Sequence, residues 1–217
     1  MKITDVKLRF AKHYLFVQIY TDAGITGLGE AGNWGYLQAT AAAIEKFADY
    51  LIGKDPFRIE DFNQNFLRSV YFRGSVIMSA ISAIDIALWD ILGKAAKMPV
   101  SKLLGAHSDR LPAYASGGFY APGKDLDGLK KEVEGYLKKG YQDVKIKIGR
   151  NPEIAGNAVN YTASTEFAVS YDEDIRRIAT TRELVGPRGR VAADINAAWP
   201  VTVSYTHLRA HETAANL

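Results

Sequence analysis

The sequence predicts an α+β module followed by parallel βα units, and two observations carry that expectation. Strand-like patterning comes first, and helical patterning follows it up to about Gly105. From Leu111 the rhythm changes to strand, helix, strand, helix, strand. Strands followed by helices suit a sheet covered on one face, whereas strict alternation is the signature of a parallel sheet with crossover helices.

Tyr14-Leu15-Phe16-Val17-Gln18-Ile19-Tyr20-Thr21 is aromatic and β-branched, Asp22-Ala23-Gly24 reads as a turn, and Ile25 to Gly29 returns as the next arm of a meander. Ala39 to Ile52 places Ala43, Phe47 and Leu51 at helical spacing, with Gly53 as its stop. Val76 to Ala96 is apolar nearly all round, the pattern of a buried helix. In the second half, Ala113 to Ser116 is a short strand closed by Gly117-Gly118. Asp125 caps a helix with apolar positions Leu126, Leu129, Val133, Tyr136 and Leu137, which Gly140 ends. Asp143 to Ile148 is the second strand. Ser170 and Glu173 form a capping box ahead of a helix through Ile175 and Ile178, which Gly186-Pro187 stops. Val191 to Asn196 is the third strand. Such units build either an open doubly wound sheet or a closed barrel. A complete barrel needs roughly 250 residues, so residues 111–202 hold three strands of one at most.

Composition narrows the classes of function. The 217 residues are 47% hydrophobic and 24% charged, with a net charge of +3. That balance suits a packed core and offers no basic stripe for nucleic acid. Lys130-Lys131 and Lys138-Lys139 alternate with Glu132 and Glu134, as on a solvated helix face. The absence of cysteine excludes disulfides, thiolate metal sites and cysteine nucleophiles together. No uninterrupted apolar run approaches the ~18 residues of a membrane span, and Met1 to Asp5 lacks the apolar core of a signal peptide. A cytoplasmic protein without membrane or nucleic-acid partners is the expectation.

The chemistry concentrates on two strands. In Asp143-Val144-Lys145-Ile146-Lys147-Ile148 the period of two puts Lys145 and Lys147 on one face and the apolar residues on the other. The apolar face packs under helices, so the lysines point into a barrel or toward its C-terminal mouth, where barrel enzymes keep their active sites. Adjacent ammonium groups lower each other's pKa, which turns a lysine into a usable base. The alternative is an edge strand with solvated lysines. On the third strand Asp194 and Asn196 face one way, and a carboxylate at the end of a parallel strand is a natural hard-metal ligand. An Asp that merely caps the next loop is the alternative there.

These residues carry a resemblance. Ala83-Ile84-Asp85-Ile86-Ala87-Leu88-Trp89-Asp90-Ile91-Leu92-Gly93-Lys94, Pro99 to Gly105, Lys145-Ile146-Lys147 and Asp194-Ile195-Asn196 together resemble the enolase superfamily, in its mandelate racemase and muconate lactonizing branch. The likeness runs from Met1 to about Trp199, and the opening Met1–Glu30 with the Tyr71-Phe72-Arg73-Gly74 turn looks most similar to acid-sugar dehydratases. It implies an α+β capping domain over residues 1–110 and the first βα units of a truncated (β/α)7β TIM-type barrel over 111–202. It further implies Mg²⁺ held by three carboxylates, of which Asp194 matches the first. Lys147 matches the base that takes the proton α to a substrate carboxylate. Lys145 matches the partner that contacts and tunes that carboxylate, and Asn196 matches a substrate-side position. The parent would act on a small carboxylate, a sugar acid, by dehydration or by racemisation or epimerisation, as a homo-oligomer. Arg73 could reach the acidic substrate from the capping domain, with a plain surface role as the alternative.

The sequence departs from the family pattern in two places. Arg150 to Val169 is long and aperiodic where a βα loop is usually short, and as a loop on the catalytic face it is expected to cover the substrate; its Asn160-Tyr161-Thr162 sequon is read as chance. Residues 203–217 lack an apolar stripe and look like a translated sequencing adapter, so the native sequence is expected to end near Val203 and the i,i+4 pair His207 and His211 is not read as a metal site. A truncated chain with one metal carboxylate is expected to be inactive by itself. Gly27-Leu28-Gly29-Glu30-Ala31-Gly32 satisfies G-x-G-x-x-G, a rival dinucleotide reading, but no strand-like run follows Ile52 to complete a βαβ unit. Asp85 and Asp90 read as capping or inter-domain hydrogen-bond partners, and Trp34 and Tyr36 as core, with contact to substrate from a capping loop as the alternative.

Overall fold

A computed structural model describes residues 1–33, 35–69, 73–150 and 170–196. The chain divides into two compact units, Met1–Asp109 and Arg110–Leu217.

The first unit opens with strands β1 (Ile3–Ala11), β2 (Tyr14–Thr21) and β3 (Thr26–Ala31). They form an antiparallel sheet in that order, with Leu8 opposite Val17 and Val17 opposite Gly29. Helices α1 (Leu37–Leu51), α2 (Ile59–Ser69), α3 (Ser75–Ala96) and the short α4 (Val100–Leu103) follow. Alternation along β2 sends Leu15, Val17 and Ile19 into the core. There they join Ile44 and Phe47 of α1, Phe62 of α2, and Ile84, Leu88 and Ile91 of α3. Each such side chain contributes about 1.5–3 kcal/mol when fully buried. The buried stripe of α1 runs through Thr40, Ala41 and Ile44 to Phe47 and Leu51, so Ala43 lies at its margin rather than at its centre.

Helix α3 explains the glycines of β3. A Cβ built on Gly29 would lie 1.9 Å from the Ala83 carbonyl oxygen, and one on Gly27 would lie 2.1 Å from that of Ala87. The glycines let a helix lie directly on the strand. The whole G-x-G-x-x-G run therefore sits at and within an antiparallel strand, and no βαβ turn is formed there. Asp90 Oδ2 accepts from the Leu28 backbone N–H at 2.8 Å and from Lys94 at 2.6 Å, and Asp85 Oδ1 accepts from Asn63 at 2.8 Å. Both aspartates thus tie α3 to its own unit.

Three expectations for this unit need correction. Helix α3 is long and apolar enough by length and composition to cross a membrane. Counting only uninterrupted apolar residues hid this, because Ser79, Ser82, Asp85 and Asp90 break the run without lowering its mean much. Nor is α3 buried all round: one face is core, while Met78 and Ile86 are exposed. Tyr36 is 63% exposed rather than core, since it stands at the N-cap position of α1 where its carbonyl accepts from Thr40. Trp34, Tyr71 and Phe72 lie outside the described residues.

The second unit alternates β4 (Tyr114–Gly117), α5 (Leu126–Lys138), β5 (Asp143–Lys147), α6 (Tyr171–Val185) and β6 (Val191–Asp194). The strands form a parallel sheet in the order β4-β5-β6. Asp125 caps α5 by accepting from Gly128 N–H at 2.9 Å, and Ser170 caps α6 by accepting from Glu173 N–H at 3.2 Å. The Glu173 carboxylate pairs forward with Arg176 at 3.3 Å. Leu129 and Val133 of α5 pack on Val144, Ile146 and Ile148, so one face of β5 lies under helices as its alternation predicts. At the N-terminal end of β5, Asp143 accepts from both the backbone N–H and the guanidinium of Arg190, each at 2.8 Å.

The buried face of α6 differs from expectation. Ile175 is exposed, while Asp174, Arg177 and Thr181 are buried beside the half-buried Ile178. Polar residues occupy this face because each finds a partner there, as described below. The Arg150 to Val169 loop beyond Arg150, its sequon, and the tail at 203–217 lie outside the described residues.

Candidate functional site

Lys145 and Lys147 leave β5 on the face opposite the helices, and β6 delivers Asp194 beside them through the register Lys147↔Asp194. Lys147 Nζ lies 2.6 Å from Asp194 Oδ2 and 2.6 Å from Asn196 Oδ1. Lys145 Nζ lies 3.1 Å from the same Asp194 oxygen. The chain turns just past β6, where Asn196 adopts φ +46, a left-handed conformation asparagine tolerates better than most residues. In that turn the Asn196 N–H donates to Asp194 Oδ1 at 3.1 Å. The four sequence-predicted residues of this unit therefore form one cluster at the C-terminal ends of two adjacent parallel strands.

The electrostatics follow from this geometry. Hydrogen bonds led by that from Lys147, and including Lys145 and the Asn196 N–H, outweigh partial burial and hold the Asp194 carboxyl down at about 2. The hydrogen bond to Asp194 is likewise the main cause of a raised Lys145 pKa. This corrects the expectation that the two ammonium groups lower each other: for Lys145 the carboxylate between them dominates. Aromatic rings line the same face, with Lys145 Nζ 5.4 Å from the centre of the Tyr114 ring and Lys147 Nζ 5.5 Å from that of Phe119.

Asp194 suits a hard divalent cation, being an ionised oxygen donor only partly covered. Mg²⁺ is commonly bound through one or two carboxylates together with waters and substrate oxygens. Among the described residues no group of three or more His, Asp or Glu could hold a metal, so the fit is in kind and extends to one carboxylate.

Arg73 belongs to the first unit. It is exposed there, and its guanidinium donates to the Leu67 carbonyl at the C-terminal end of α2, where a cation favourably meets unpaired carbonyls.

Sequence reasoning missed a second layer behind the cluster. Asp174 and Arg177 of α6 are 1% and 2% exposed. Asp174 accepts from Tyr120 Oη at 2.5 Å and from Gly149 N–H at 2.8 Å. Arg177 donates to the Gly118 carbonyl at 2.5 Å and to the Lys147 carbonyl at 3.4 Å, and lies over the Tyr120 ring at 4.2 Å. The available signal was the spacing 174, 177, 181, a polar stripe on one helical face. Glu132, expected on a solvated face, is also turned inward, pairing with Lys124 and accepting from Tyr136 at 2.6 Å and Gly118 N–H at 3.1 Å.

Known proteins share this order of domains. Residues 4–105 match the mandelate racemase / muconate lactonizing enzyme N-terminal domain, and residues 128–216 match the enolase C-terminal domain-like family. That ordered pair defines a protein of the enolase superfamily: an α+β N-terminal domain followed by the opening βα units of a barrel. Within that superfamily the chain belongs to the mandelate racemase / muconate lactonizing enzyme family. It is 34% identical over 182 residues to an arabinonate dehydratase of Saccharolobus solfataricus, covering 82% of this chain and 44% of the relative. It is 39% identical over 171 residues to a D-galactonate dehydratase family member of Cellvibrio japonicus, covering 76% of this chain and 40% of the relative. The chain thus spans less than half the length of these curated relatives. Among solved structures it resembles the 3,6-anhydro-D-galactonate cycloisomerase of Zobellia galactanivorans, with TM-score 0.73 at 29% identity, covering 92% of this chain and 52% of that one.

Proposed function

We propose that this chain supplies the general base and first metal carboxylate of an Mg²⁺-dependent sugar-acid dehydratase. The observation that carries the reading is the convergence of Lys145, Lys147, Asp194 and Asn196 on one strand-end cluster. The names of the dehydratases it resembles support a sugar-acid substrate.

In this reading Lys147 Nζ takes the proton from the carbon α to the substrate carboxylate. The electrons of that C–H bond pass into the carboxylate, giving an enediolate. Stabilising that dianion is the costly part of the reaction, and positioned positive charge is the remedy. Lys145 provides one such charge, since its hydrogen bond to Asp194 keeps it an ammonium. Mg²⁺ held by Asp194 and further carboxylates would supply Lewis-acid stabilisation of the same oxygens. Collapse of the enediolate forms the C=C bond and breaks the β C–O bond, and the hydroxyl leaves as water with a proton returned from the Lys147 ammonium. Lys147 must be neutral to accept its proton, so its contact with Asp194 has to weaken before the transfer. Asn196, within reach of Lys147, is placed to orient a substrate hydroxyl.

A second reading keeps the first step and ends differently: reprotonation on the opposite face gives racemisation or epimerisation. A dipeptide epimerase of Enterococcus faecalis, which the chain resembles with TM-score 0.73 at 26% identity, favours keeping it. Arg73 as a substrate contact, a cytoplasmic location and a homo-oligomeric parent remain part of the proposal. So does a lack of turnover by the 217-residue chain alone, given one cluster carboxylate among the described residues.

The test is incubation of the whole protein with a panel of sugar acids and Mg²⁺ in D₂O, followed by NMR. Dehydrated product supports the first reading. Deuterium at the α-carbon with an inverted centre selects the second, and no exchange with any acid overturns both.

A further inference from the structure

We propose that the buried Asp174–Arg177 pair of α6, with Tyr120, is a positioning clamp that sets where Lys147 stands. The inference deepens the reading of Lys147 as the base, but its test does not depend on turnover.

Three segments meet at the pair. Asp174 takes a hydrogen bond from Tyr120, just past β4, and another from the backbone of Gly149, two residues beyond Lys147. Arg177 reaches the Gly118 carbonyl and the Lys147 carbonyl. The loop after β4, the end of β5 and the first turns of α6 are therefore held by the hydrogen bonds of two side chains that water scarcely reaches. Phe119 lies between two clamped residues, Gly118 and Tyr120, and its ring stands beside Lys147 Nζ. The Lys147 side chain itself is only 12% exposed.

A helix that needed only to pack would bury apolar side chains at 174 and 177, since a buried polar group is costly unless it is hydrogen-bonded. Directed hydrogen bonds add what apolar packing lacks, because they fix orientation. All four described bonds from this pair end on the two segments that carry Phe119 and Lys147. Burial also drives the Tyr120 hydroxyl strongly upward in pKa, which keeps it the donor to Asp174.

The experiment is competitive acylation of the full 217-residue chain with an amine-reactive ester, the rate at Lys147 being read by fragment-ion mass spectrometry relative to Lys130, exposed on α5. Tyr120→Phe and Asp174→Asn are compared with Thr181→Val, which disturbs the same buried helix face by removing a bond to the Arg177 backbone carbonyl and leaves every side-chain bond of the clamp in place. A severalfold rise in the Lys147 ratio for the first two, and none for the third, is the expected result. An unchanged ratio overturns the proposal. So does an equal rise in all three variants, or uniform labelling of every lysine, because either marks general loosening. Failure of Lys147 as a base would show instead in the D₂O experiment, with the labelling pattern intact.

Discussion

Lys147 Nζ is 2.6 Å from Asp194 Oδ2 although the two residues lie 47 positions apart in the chain. Parallel register alone accounts for the meeting: Lys147 pairs with Asp194 across β5 and β6 on the face that the helices leave free. The proposed base and metal carboxylate are thus held by backbone geometry as well as by their own charges.

Replacing Lys147 with alanine in the whole protein is expected to lower kcat by about 10²–10⁴-fold, the usual contribution of a positioned proton-transfer group. Steady-state kinetics on a turned-over sugar acid measure it. Activity within a small factor of wild type would remove Lys147 from the role of base.

Asn196→Ala is expected to raise KM more than it lowers kcat. The side chain donates or accepts toward substrate in the proposed reading but takes no proton, and losing uniform binding shows in KM. A pure kcat effect would place Asn196 in the transition state instead.

Gly29→Ala probes the close contact of β3 with α3. The added Cβ would overlap the Ala83 carbonyl oxygen, backbone that cannot swing aside. The expected cost is at the upper end of, or beyond, the roughly 1–3 kcal/mol typical of overpacking. Urea unfolding of the chain reads it, and a loss below about 0.5 kcal/mol, within the range of ordinary surface changes, would show that the helix shifts freely.

Glu132 and Tyr136 predict stability limits at both ends of the pH scale. Burial raises the Glu132 pKa, but hydrogen bonds from Lys124, Tyr136 and Gly118 N–H outweigh it, so the folded value lies below the ordinary 4.5. The stabilisation is therefore present above pH 4.5 and is lost as pH falls through the folded value. Tyr136 is pushed up to about 12 by burial first and by Glu132 second. Its contribution is complete below pH 10 and disappears as pH rises through about 12. Glu132→Gln should flatten the acid limb, and Tyr136→Phe the alkaline one, in denaturant midpoints measured against pH.

The cluster itself was legible because strand alternation is a strong signal: two lysines separated by Ile146, and Asp194 two before Asn196, declare their common face in the sequence alone. The clamp was not legible. Ile175 and Ile178 point to the buried helix face because apolar residues usually mark it, yet here Asp174 and Arg177 bring their own partners inside. Strand β1 gives a weak signal too. Its Val6, Leu8 and Phe10 alternate with Asp5, Lys7 and Arg9, but as an edge strand it buries only Ile3 fully. The role of Gly27 and Gly29 could be seen only once α3 was found resting on them.

Arg190 grips Asp143 at the foot of β5, far from any chemistry. Yet side chains on a strand swap faces with every step. A slip of one residue between β5 and β6 would set Ala193 or Ile195 against Lys147 and turn Asp194 toward the helices. The pair at the bottom of the sheet and the buried face of β5 fit the same register, the one that brings Asp194 to the top.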